Sequence, residues 1–132
     1  MKLFATAAAA VLVALTLTAP SFAAGDVVND ALDSIELHIG SALSCEPVLG
    51  AAYLEDARAT ALVSLESVGM KEADAVGVIQ RAEHAVSRDA KKAAQTIAAT
   101  PLAEASAFCL NDHARTEEAM TVAMAAVASA FH

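Results

Sequence analysis

The chain has 132 residues, 57% of them hydrophobic, and 16 acidic against 8 basic side chains give it a net charge of −8. Such an excess of carboxylates weighs against nucleic acid and anionic membrane surfaces as partners. With no Trp and one Tyr, a base-stacking platform or an aromatic cage is also disfavoured.

Lys2, the apolar run from Leu3 to Ala19, Pro20 and the small-residue site Ser21-Phe22-Ala23 have the layout of a cleavable secretory leader. Small residues three before and one before the cut place cleavage after Ala23. Residues 1–23 are therefore expected to be a signal peptide, and 24–132 a single helical-bundle domain. No cysteine follows the cut, so a lipid-anchored start is not indicated. An uncleaved anchor is the alternative, because the run approaches the roughly 20 residues of a bilayer span. The single flanking charge and the cleavage site favour removal. No second apolar run reaches that length, so the expected location is periplasmic or secreted, with no membrane association after processing.

From Asp26 to Ser44, residues Val28, Ala31, Leu32, Ile35, Ile39, Ala42 and Leu43 share one face of a helix, while Asp26, Asp30, Asp33 and Glu36 flank it or face away. The helix should end near Cys45-Glu46-Pro47, where proline disfavours helical geometry in the residue before it and can itself open a new helix. Val48 to Val68 is helical in composition, with Leu54, Ala61, Leu62 and Leu65 clustered and Arg58 among them. Arg58 is expected to snorkel along that face toward Glu55 or a neighbouring helix.

Met70 to Ala98 is the longest uninterrupted amphipathic segment. Ala75, Ile79, Ala82, Val86, Ala90, Ala93 and Ile97 fall on one side, and Arg81, His84, Arg88, Lys91 and Gln95 on the other. Glu72 and Asp74 at its start and Lys91 and Lys92 toward its end oppose the helix dipole. Glu83, at the edge of the apolar stripe, is expected to reach solvent. Thr100-Pro101 stops this helix, with Thr100 as cap of a short one from Pro101 to Leu110. Asn111-Asp112 reads as a break and a second cap, followed by a last helix to Phe131 with the seam His113, Glu117, Met120, Met124, Val127 and Phe131. Met120 and Met124 read as core filler.

The fold class that follows is all-α: a small up-and-down bundle of about four main helices plus one short helix, tied by one disulfide. Cys45 and Cys109 are the only cysteines, and beyond the inner membrane a lone pair forms a bridge. No Cys-x-x-Cys occurs, and no basic residue within three positions would activate either thiol.

Chemistry-bearing patterns are few. His113 and Glu117, one turn apart, suit half a metal site or a proton-linked pair; the plainer reading leaves His113 exposed at a helix start. His38, His84 and His132 do not repeat that spacing. Arg81, His84, Arg88 and Lys91 form a basic strip where acidic neighbours in the bundle or a second subunit can dock; a solvated helix face is the plainer reading and an anion-binding strip the alternative. Residues 70–98 carry five basic and four acidic side chains, whereas the rest of the mature chain carries two and twelve. No phosphate loop, nucleotide fingerprint, zinc-protease helix, serine elbow or haem-attachment motif is present.

A helical body with one bridge between distant cysteines resembles, in broad outline and without a shared motif, the small periplasmic acid-stress chaperones. With no catalytic pattern in the sequence, the expected function is non-enzymatic, a protein-binding or envelope-stress role with a protein partner or a second copy and no cofactor. The alternative is a bundle that binds a small ligand or metal.

Overall fold

The computed structural model describes residues 20–131. Five helices follow one another: α1 (Pro20–Ser44), α2 (Glu46–Leu49), α3 (Ala51–Ser67), α4 (Glu72–Ala98) and α5 (Leu102–Phe131), with no strand among the described residues. The expected all-α bundle of four long helices and one short one is the observed architecture. The leader expected over residues 1–23 lies outside the described residues apart from 20–23, which open α1. No described helix is long and apolar enough to cross a membrane.

Local chemistry sets the boundaries. Pro47 stands in the first turn of α2, where its missing N–H would have had no helical acceptor. Gly50 (φ 82°) separates α2 from α3, and Gly69 (φ 97°) separates α3 from α4. Both are left-handed positions that glycine occupies without steric penalty. Acidic Glu72 and Asp74 lie in the first turn of α4, as the dipole favours.

α1 is the hub. Its Ile35, Ile39 and Ala42 are buried between α4 and α5, two helices that scarcely touch each other. α1 and α5 run antiparallel, and successive rungs join them: the Cys45–Cys109 bridge, Ser41 Oγ donating to Asp112 Oδ2 at 2.6 Å, and His38 Nδ1 to Thr116 Oγ1 at 2.9 Å. On its other flank α1 meets α4 through Gly40, where a Cβ would lie 3.6 Å from that of Val86. α3 closes the core with Leu54, Ala57, Ala61 and Leu65. Met120 and Met124 are buried in that core, as filler. A second small cluster surrounds the bridge, with Ile97 and Ala105 against the two cysteines.

The structure corrects several expectations. The short helix is Glu46–Leu49, and residues 102–131 form one unbroken helix with no break at Asn111-Asp112. The Asp112 carboxylate takes hydrogen bonds from Ser41 and Arg115, so it does not cap backbone, and continuity lets Cys109 and His113 share the buried face. Thr100 is not a cap for α5: its hydroxyl donates back to the Thr96 carbonyl at 2.9 Å. Val28, Leu32 and Phe131, read as core, are exposed; they line an open hollow that the end of α3 and the turn after it border without filling.

Candidate functional site

The buried stripe of α1 contains one polar ring, His38, with no solvent exposure. Opposite it on α5 stands His113, also buried. Their ring centroids are 4.8 Å apart with planes tilted by 35°, a direct ring-on-ring contact. Tyr53 of α3 meets His113 edge-on, again at 4.8 Å. Two imidazoles and one phenol thus fill the space that larger aromatics occupy in other cores.

Thr116 Oγ1 lies 2.9 Å from His38 Nδ1 and donates to the His113 carbonyl at 3.1 Å. His113 Nε2 lies 3.4 Å from Asp56 Oδ2. His38 Nε2 and His113 Nδ1 are the buried side-chain atoms without a hydrogen-bond partner among the described residues. Each such group costs about 1–3 kcal/mol, so the pair is an expensive way to fill a core.

Burial pushes the His38 imidazole down to about 4, the charge of neighbouring His113 pushes the same way, and Asp56 partly offsets both. His38 is neutral at neutral pH. What it can do is take up protons, at the expense of packing.

The sequence-derived candidates are distributed differently from expectation. His113 is buried, not exposed, because α5 has already run three turns when it reaches that residue. The carboxylate nearest it is that of Asp56, while Glu117 stands half-buried a turn further along. Among the described residues, no three His, Cys, Asp or Glu side chains converge as a metal-holding group. Arg81, His84, Arg88 and Lys91 are all exposed along α4. Glu83 does not simply reach solvent: Arg58 grips it through Nε, at 3.1 Å, and a second nitrogen, and also binds Glu55. That double contact ties α3 to α4, and hydrogen bonding from Glu83 raises the Arg58 guanidinium above its usual value.

The chain matches no protein-family model, no curated protein and no solved structure.

Sequence reasoning missed His38, Tyr53, Asp56 and Thr116. A signal for two of them existed. His38 falls between Ile35 and Ala42 at helical spacing, and Thr116 between Cys109 and Met120, so both interrupt apolar stripes. Nothing local marks Asp56, which is largely exposed on α3 and meets His113 only through the way the helices pair.

Proposed function

We propose that this is an exported, non-enzymatic envelope protein that binds other proteins and is opened for that purpose by acid. The observation that carries the reading is the buried His38–His113 pair with its two unpartnered nitrogens. Export is supported by the leader-like residues 1–23 and by the Cys45–Cys109 bridge, which belongs in an oxidising compartment.

The groups that face the pair come from three helices. α1 brings His38; α3 brings Tyr53 and Asp56; α5 brings His113, with Asp112 and Arg115 paired to each other beside it. On α4, Glu83 is held by Arg58, and Asp89 lines a hollow with Thr116 and Asp112. As pH falls, a conformation that wets His38 takes a proton that the packed one refuses, and mass action favours it. α3 is the element suited to move, since it carries Tyr53 and Asp56 and glycines at positive φ bound it at both ends. Its departure uncovers Leu54, Leu65 and the core beneath them.

The test is an acid titration of the processed protein, followed by binding of an apolar dye and by suppression of aggregation of an acid-unfolded test protein. Dye binding and protection should rise together as pH falls from 6.5 toward about 4 and reverse on neutralisation. A compact, client-inert protein at pH 2 to 3 overturns the acid reading. Intact mass from the exported fraction should begin at residue 24 and lack two hydrogens; a mass retaining residues 1–23 overturns cleavage.

A further inference from the structure

α1 and α5 each turn one face to the core, and each carries a second row at coiled-coil spacing beside it. On α5 the row is Phe108, Asp112, Arg115, Ala119, Val122 and Ala126, alternating by four and three. On α1 it is Val27, Asp30, Leu37, Ser41 and Ser44, on the same alternation with Ser34 between. Since the helices lie side by side and antiparallel, both rows converge on one groove.

That groove has two compartments. One, of about 730 Å³, is lined by Leu37, Ser41, Ser44 and Phe108, with Val86 and Ala93 of α4 as its far wall. The other, of about 520 Å³, is lined by Val27, Asp30, Val122 and Ala126. They meet at Arg115 and Ala119, which line both. From Phe108 to Ala126 the groove follows α5 for about 27 Å at 1.5 Å per residue. Large apolar side chains stand uncovered along it: Leu37 and Val122 are 63% exposed and Phe108 is 54% exposed. Between them the small side chains of Ser41, Ser44, Ala119 and Ala126 leave room for knobs from another helix.

Shape and charge select the occupant. A concave surface is not self-complementary, so two copies joined groove to groove would enclose a void. The convex strip of a second copy, Arg81, His84, Arg88, Lys91 and Gln95, has the right sign but no apolar side chain to cover Leu37, Phe108 and Val122. The charges in the groove are the carboxylates of Asp30, Glu36, Asp89, Asp112 and Glu118 against one cation, Arg115. Arg115 is already engaged by Asp112.

We propose that this groove receives an amphipathic α-helix of a partner protein, with apolar residues at heptad spacing set against Leu37, Phe108 and Val122 and with Lys or Arg on its flanks. The proposal rests on the reading that the protein works by binding proteins, but not on acid opening, because the groove belongs to the folded state. Apolar contact supplies affinity and the carboxylates supply orientation and sign.

The probe is a synthetic 21-residue peptide of three heptads, Leu at the two core positions, Lys at the two flanking positions and Ala elsewhere. Its control has Glu for Lys. At pH 7, calorimetry should show one-to-one binding of the Lys peptide and none of the Glu peptide. Leu37→Gln and Val122→Gln should each weaken binding by roughly tenfold or more, with helical content and melting unchanged. Val63→Gln, at an exposed site on α3, should leave it unaltered. No binding, equal binding of both peptides, or insensitivity to the two groove variants overturns the proposal. So does self-association that Leu37→Gln abolishes, which would make the occupant a second copy. Each result is read at neutral pH with a defined peptide, so failure here leaves the acid titration to stand or fall separately.

Discussion

His38 shows how one side chain couples the core to pH. Its ordinary value is 6.5 and its packed value about 4, so between those limits the unfolded chain binds a proton that the folded chain does not. Stability therefore falls as pH drops from 6.5 to 4 and is fully present above that window, with a loss of about 3 kcal/mol for this residue. Denaturant melts at pH 7, 5.5 and 4 measure it directly. His38→Leu should lie within about 1 kcal/mol of the parent at pH 7, because it removes an unpartnered nitrogen as well as a hydrogen bond. At pH 4 the variant should be the more stable protein; equal slopes for both proteins across the window would remove His38 as the sensor.

At the scale of elements, two glycines with opposite roles separate backbone conformation from packing. Gly50 sits at φ 82°, ψ 174° with no atom within 4 Å of a built Cβ, so Gly50→Ala should cost about 1–3 kcal/mol through backbone strain alone. Gly40 is interior to α1, and its Cβ would make ordinary contact with Val86 at 3.6 Å. Gly40→Ala should therefore stabilise by about 0.5–1 kcal/mol through helix propensity. Thermal melting of the two single variants at pH 7 reads both signs. A loss at Gly40 would mean that α1 and α4 need a closer approach than the structure shows. The same contrast explains α5: Asn111 and Asp112 are poor helix formers, yet the bridge at Cys109 and the Ser41–Asp112 bond hold them helical.

For the molecule as a whole, the Cys45–Cys109 bridge encloses α2, α3 and α4 within a sequence separation of 64. Cross-linking a loop of that length removes unfolded-state entropy equivalent to about 4 kcal/mol. This counts heavily here, since much of the core is alanine, which buries little area per residue. The Cys45→Ala/Cys109→Ala double variant should lose stability of that order in denaturant melts at pH 7 while retaining its helical content. A loss under about 1 kcal/mol would show that the unfolded chain is already compact around the two sites. The bridge also leaves its three enclosed helices connected to the α1/α5 pair when α3 moves, so acid opening should reverse without reassembly of the chain.

Much of this architecture could be read from the sequence because it depends on local periodicity. The stripe Ala31, Ile35, Ile39, Ala42 and the stripe Ala75, Ile79, Ala82, Ala90, Ile97 are all buried as the helical repeat demands. The leader-like start and the lone cysteine pair were enough to anticipate the bridge, since redox compartment is a property of the whole chain. The helix ends around Asn111 and Thr100 were misread, because capping residues satisfy tertiary partners as readily as backbone ones. The contact between the two histidines could not be read from the sequence. His38 and His113 are 75 positions apart, and their contact depends on an antiparallel register set by the bridge, by Ser41–Asp112 and by α3 closing over them. Periodicity determines which face of a helix is buried; only the pairing of helices decides what that face meets.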